Sequence, residues 1–229
     1  MGFRFMGGTG EDGFDPKDWY IRDLDFHRYL ATDWVITETG SGTRAVSQSP
    51  FGVLVVTNAA ADNDVNSLQE SSVAAGAVAE QWKFVAGKPL YFGTRFKLSD
   101  ATQSDLVIGL HITATTPIAS APTDGIYFRK DDGDRLLDLV GRKNSAGSEV
   151  AGVLGTSGYL TDDTWTKLEF YYDGVSSCIQ AFQDGVGFGS IPLTNVVDDE
   201  ELAISFAVQN GEAVAKVLSL DWIKVAVLR

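Results

Sequence analysis

The sequence predicts an all-β protein, two stacked antiparallel sheets preceded by an N-terminal arm, and three observations carry that prediction. In TWTKLEFYYDGVSSCIQAFQDGVGFGSI (164–191), Leu168, Phe170 and Tyr172 fall on one side of an extended chain and Lys167, Glu169 and Tyr171 on the other. That is the period of two expected of a half-buried strand. Asp173-Gly174 and Asp184-Gly185, 11 residues apart, are turn dipeptides that tolerate positive φ and leave no room for a crossover helix, so the stretch reads as a meander. The same alternation of strand and turn continues to the last residue.

Taken in order, residues 1–30 stand apart as an arm, because glycines and acids there surround isolated aromatics: Phe3, Phe5, Phe14, Trp19, Tyr20, Phe26 and Tyr29. Asp15-Pro16, with Pro at a first helical position, predicts a short helix running to Leu30. Residues 31–229 form the sandwich domain. Strands are expected near 33–38, 43–48 and 52–58, separated by glycine turns. Leu90, Phe92, Phe96 and Leu98 share one face of the next strand, and Leu106, Ile108, Leu110 and Ile112 share one face of the strand after it. GIYFRKDDGDRLLDLVGRKN reads as a hairpin about an acidic turn at Asp131 to Asp134. SSVAAGAVAE (71–80) is rich in helix-favouring alanine, but Gly76 and its short length suit a loop equally. Two strands close the chain, and Trp222, Ile223, Val225 and Val227 tie the C-terminus into a sheet.

At 229 residues the chain is long enough for one large β-sandwich core. A net charge of −13 opposes binding to phosphate backbones and to anionic lipid, so neither nucleic acid nor a membrane is an expected partner. No stretch approaches the roughly 20 apolar residues of a membrane span. The N-terminal stretch lacks the apolar segment of a secretory signal, and export by that route is not expected. The single Cys178 has no partner for an internal disulfide and reads as a small packed side chain.

Signals for chemistry are sparse. His111 lies between Leu110 and Ile112, its imidazole on the opposite face from theirs, and reads as structural. His27 beside Asp23 and Asp25 offers one imidazole and two carboxylates, a poor transition-metal set. No G-x-S-x-G elbow is present to support a Ser-His-Asp site, and no E-x-D-x-x-E run to support a sugar-cleaving carboxylate pair. The contiguous acids Asp198, Asp199, Glu200 and Glu201 read as a solvated turn. KDDGDR (130–135) could offer calcium the carboxylates of Asp131, Asp132 and Asp134, yet it lacks the length and distal glutamate of an EF-hand loop and reads as a hairpin tip. No enzyme activity, cofactor or metal is expected.

Several stretches in sequence order, PFGVLVVTNAAADNDVNSLQ, KPLYFGTRFKLSDATQSDLVIGL, DGIYFRKDDGD, DTWTKLEFYYDG and VQNGEAVAKVLSLDWIKVAVLR, together resemble the concanavalin-like (LamG-like) jelly-roll structural proteins of tailed-bacteriophage virions. The resemblance covers most of residues 33–229. It implies a jelly-roll sandwich without catalysis, made in the host cytoplasm and carried on the virion surface. There it would act as a capsid decoration or cement protein bound to the major capsid protein. A homo-oligomer, a trimer at a threefold lattice position, is the expected assembly. The arm lies outside the resemblance, and its aromatics Phe3, Phe5, Phe14, Trp19 and Tyr20 are the expected partner-binding residues. The alternative is a glycan-binding module of a tail or fibre, because jelly rolls also host lectin sites and Trp82, Trp165 or Tyr171 could stack on sugars.

Overall fold

A computed structural model describes residues 15–47, 51–72, 76–152 and 158–229. Among these residues the chain forms a two-sheet antiparallel sandwich. One sheet contains β1 (Trp19–Asp25), β3 (Thr43–Val46), β4 (Leu54–Thr57), β6 (Leu90–Leu98), β11 (Thr166–Tyr172), β12 (Cys178–Gln183), β13 (Val186–Pro192) and β15 (Val217–Leu228). Its order is β13-β12-β11-β6-β15-β4-β3, with β1 also paired to β15. The second contains β2 (Trp34–Glu38), β5 (Val65–Glu70), β7 (Ser104–His111), β8 (Gly125–Lys130), β9 (Asp138–Lys143), β10 (Ala146–Ala151) and β14 (Ala203–Asn210), in the order β10-β9-β8-β7-β14-β5-β2.

The core lies between the sheets and is built from the inward half of each alternation. Leu90, Phe92, Phe96 and Leu98 of β6 and Leu168, Phe170 and Tyr172 of β11 face Leu106, Ile108 and Leu110 of β7 and Ile204, Phe206 and Val208 of β14. Each such side chain contributes about 1.5–3 kcal/mol on leaving water. The rings of Phe92 and Phe170, opposite each other in register, stack with centroids 4.9 Å apart. The meander is present as β11-β12-β13. Asp184-Gly185 forms a two-residue hairpin turn with φ of 51° and 80°, while Asp173-Gly174 opens a longer connection in which the Asp173 carboxylate accepts the Val175 and Ser176 backbone N–H groups.

The helix expected between Asp15 and Leu30 is not formed. Asp15 instead closes a turn, its carboxylate accepting the Lys17 N–H at 2.9 Å and its carbonyl accepting the Trp19 N–H at 2.9 Å, and β1 follows. The cause is tertiary. β4 pairs with β15 only from Val217 to Leu220, so the edge of β15 from Trp222 onward carries unpaired backbone groups, and Trp19–Asp25 fills it in antiparallel register. Tyr20 and Leu24 then pack on the core, and Arg22 reaches across to pair with Glu70 at 2.5 Å. In the alanine-rich stretch, residues 73–75 lie outside the described residues. The flanking Ser71 and Val78 form an antiparallel bridge, and the described residues there are not helical.

Candidate functional site

The alternation that buries Leu168 and Phe170 turns Trp165, Lys167, Glu169 and Tyr171 to the outer face of the eight-stranded sheet. Three register rows run across it: Lys167–Arg95–Trp222–Asp25, Glu169–Gly93–Lys224–Asp23 and Tyr171–Tyr91–Ala226–Ile21. A register shift between Leu220 and Trp222 inserts Asp221 as an extra residue, so Ile223 is buried and Trp222 stands outward beside Arg95. The Arg95 guanidinium lies 4.7 Å from the centre of the Trp165 ring and the Lys97 ammonium 5.6 Å from it, both in cation–π range. Arg95 is ion-paired with Asp221, Lys97 with Asp163 at 3.4 Å and Lys167 with Glu169 at 2.8 Å. The Tyr91 hydroxyl donates to Glu169 at 2.7 Å. Trp165, Tyr171 and Trp222 are half-buried, so part of each meets solvent.

The outer face of the seven-stranded sheet differs because a loop lies on it. Val107, Tyr127, Val140 and Ala207 form a second apolar cluster there, covered by Ile118 of the Ile112–Asp124 connection between β7 and β8. Gln69 anchors that loop. Its Oε1 accepts the Ala114 N–H at 2.9 Å, and its Nε2 donates to the Ile112 carbonyl at 3.2 Å and to Ser205 at 3.0 Å. His111 and Tyr127 stand diagonally across β7 and β8, each opposite a glycine, with His111 facing Gly125 and Tyr127 facing Gly109. Their rings meet edge-on at 6.0 Å. Burial lowers His111 to about 4, so the imidazole is neutral at pH 7. Burial likewise pushes the Tyr127 hydroxyl up to about 12, against the pull of Arg142 and Arg129. Arg129 is ringed by Asp131 at 3.3 Å, Asp138 at 2.9 Å and Glu149 at 3.3 Å.

Of the residues singled out in the sequence, Phe3, Phe5 and Phe14 lie outside the described residues. Trp19 and Tyr20 are on β1, where the Tyr20 ring packs on Trp82. Trp82 itself is 1 % exposed and belongs to the core, so it cannot stack on a ligand. Trp165 and Tyr171 do face outward, and they are joined by Arg95, opposite the Leu90, Phe92, Phe96 and Leu98 face of its strand, and by Trp222, whose outward placement the sequence pattern did not reveal. His27 lines a cleft of about 180 Å³ with Asp23, Asp25 and Asp33. Among the described residues no group of three or more His, Cys, Asp or Glu side chains is placed to hold a metal. At the KDDGDR turn, Asp131 pairs with Arg129, Asp134 accepts the Leu136 N–H at 2.8 Å, and the fully buried Lys130 ammonium donates to the carbonyls of Thr102 and Ser104. In the acidic run, Asp198 pairs with Lys143 and Glu201 with Lys83 at 2.9 Å. Cys178 is half-buried on β12.

No protein-family model matches the sequence, and no curated protein matches it. Solved structures do match the fold. The Emp47p carbohydrate recognition domain aligns with a TM-score of 0.60 at 14 % identity, covering 93 % of this chain and 98 % of that one. A glycoside hydrolase family 16 endo-glucanase from Bacteroides ovatus aligns at 0.59 and 12 %, covering 89 % and 99 %. Peanut lectin aligns at 0.55 and 9 %, covering 92 % and 97 %. The fold is thus the concanavalin-like, lectin-type jelly roll, shared by carbohydrate-binding proteins and by carbohydrate-cleaving enzymes.

Proposed function

We propose that this protein is a carbohydrate-binding jelly-roll module whose binding surface is the Trp165–Arg95–Trp222 strip on the outer face of the eight-stranded sheet. The observation that carries the reading is the Arg95 guanidinium 4.7 Å from the Trp165 ring centre, with Trp222 on the other side of Arg95 in register. A sugar ring has apolar C–H faces and a polar rim. Two half-buried indoles, that of Trp165 held by the Arg95 and Lys97 cations, offer flat surface to the faces at little entropic cost, and the flanking Arg95, Lys167, Glu169 and Asp221 offer donors and acceptors to the rim.

Binding without cleavage fits the charges on this face. A sugar hydrolase sets one protonated and one ionised carboxyl across its substrate. Here Asp221, Glu169 and Asp163 each sit in an ion pair with a basic neighbour. The carbohydrate-binding relatives in fold support this reading over the capsid-decoration role that the sequence resemblance implies. The test is a glycan-array screen of the wild type beside Trp165→Ala. Specific signals that the variant loses are expected, and an array with no signal for the wild type would refute the proposal.

A further inference from the structure

The outer face of the seven-stranded sheet holds polar atoms that the proposed strip does not use. His111, Gly125 and Arg142 stand in one register row across β7, β8 and β9, and Gly147 of β10 continues it. The two glycines add no side chain to the row; the His111 side chain lies over Gly125, where an added Cβ would come within 2.6 Å of its Cβ, and the Tyr127 ring stands beside it. His111 and Tyr127 have no solvent exposure. His111 Nδ1 lies 2.7 Å from the Ile112 carbonyl, so that nitrogen carries the proton and Nε2 the lone pair. Nε2 of His111, the Tyr127 hydroxyl and Nε of Arg142 are each buried without a hydrogen-bond partner among the described residues. An unmatched buried polar group is costly, and three on one patch is a cost that a ligand would relieve.

The chemistry of those atoms specifies the ligand. Arg129 is matched by three carboxylates, whereas Arg142 donates to the Ser145 carbonyl at 2.9 Å, lies beside the Tyr127 hydroxyl and is ion-paired with no carboxylate among the described residues. A guanidinium beside a phenol donates to a negatively charged acceptor. One unmatched cation in a chain of net charge −13 suits a single negative charge better than the multiple charges of a phosphate. The His111 lone pair calls for a hydroxyl donor close by. A carboxylate with neighbouring hydroxyls on one ring is a uronic acid.

We propose that His111, Tyr127 and Arg142 form a second site, for a uronic-acid residue, with its carboxylate on Arg142 and Tyr127, a ring hydroxyl on His111, and the Ile112–Asp124 loop as a movable cover. This deepens the carbohydrate-binding reading and rests on it. The cover is fixed at its far end, where the Ser145 N–H donates to the Thr123 carbonyl at 2.8 Å and the Asn144 N–H to the Asp124 carboxylate at 2.7 Å, while the stretch before it is held by Ala114 on Gln69, Thr113 on Glu80 at 2.6 and 2.8 Å, and Ile118 on the apolar cluster.

The test is calorimetric titration with a short β-linked oligomer of glucuronic acid and with the glucose oligomer of the same length and linkage. Both are added to the wild type and to a Trp165→Ala/Trp222→Ala variant in which the strip is disabled. The disabled variant is expected to bind the acidic oligomer and not the neutral one. Adding Arg142→Gln should weaken the acidic oligomer at least about tenfold, Arg142→Lys should restore part of the loss, and Ile118→Ser, which loosens the cover, should speed association. In the wild type, the His111 ring ¹⁵N signals should shift on adding the acidic oligomer, a readout that holds even where a variant fails to fold. Equal binding of the two oligomers by the disabled variant, loss of the acidic oligomer with the strip, or unmoved His111 signals would each overturn the second site. A wild type that binds only the neutral oligomer overturns this site and leaves the carbohydrate reading standing; one that binds neither overturns this site, and a glycan array silent for the wild type is the separate result that overturns the carbohydrate reading.

Discussion

The Tyr20 ring lies 4.9 Å from that of Trp82, and its hydroxyl donates to Gln81 at 2.8 Å. Through this pair the segment before the first glycine turn is fastened to the core of its own sandwich, in addition to the backbone ladder between β1 and β15.

Tyr20→Ala should therefore destabilise the protein by about 2 kcal/mol, as truncation of a partly buried aromatic does. In a chain of this size that lowers Tm by about 4–8 °C. Deleting residues 1–25, which removes all of β1 and exposes the edge of β15 beyond Leu220, should cause a larger loss together with aggregation. Scanning calorimetry of the two variants checks both, and an unchanged Tm for either would contradict the pairing.

The buried imidazole of His111 predicts a pH dependence. Burial lowers its folded-state value to about 4, while in the unfolded chain it titrates near its ordinary 6.5. The unfolded state thus takes up the proton first as pH falls. The stability tied to this group is complete above about 6.5 and is lost between 6.5 and 4. Tm measured across that window should fall for the wild type and fall less steeply for His111→Phe, which keeps an aromatic ring beside Tyr127 but does not titrate. Parallel curves would contradict the assignment.

Asp100 predicts a separate acid limb. Burial raises its carboxyl, but the Lys216 ammonium at 2.8 Å and the backbone N–H groups of Gln103 and Thr102 outweigh it and bring the value to about 2. A depressed carboxyl stabilises the fold above its unfolded value of 3.8, and that contribution disappears as pH falls towards 2. Asp100→Asn should therefore melt below the wild type at neutral pH, with the two curves converging at pH 2. A gap that stays constant down to pH 2 would show that the ion pair is not its source.

Much of the sandwich was legible because its signals are local. Leu168, Phe170 and Tyr172 announce a strand by themselves, and Asp184-Gly185 announces its turn through the positive φ that both residues adopt. β1 was not legible because Asp15-Pro16 is a helix-start signal in its own neighbourhood, whereas the open edge that recruits Trp19–Asp25 lies some 200 residues away along the chain. The candidate strip was half readable. Alternation with Leu168 puts Trp165 and Tyr171 outward, but counting inward positions from Leu218 and Leu220 puts Trp222 inward as well. The extra residue at Asp221 reverses the phase, and a bulge of this kind has no reliable signature in one sequence. Alternation gave the correct face for His111, but its burial comes from a loop folding back over the sheet.

The central claim is that the Trp165–Arg95–Trp222 strip binds sugar. The most direct measurement is the indole N–H signals of Trp165 and Trp222 in a ¹H–¹⁵N spectrum, followed during titration with oligosaccharides that score on the glycan array. Both signals should move with a single saturating dissociation constant while that of the core residue Trp82 stays fixed, and Trp165→Ala should weaken the constant at least about tenfold with Tm changed by no more than a few degrees. Saturable binding that leaves both outward indoles unmoved, or that survives Trp165→Ala at full strength, would contradict the account.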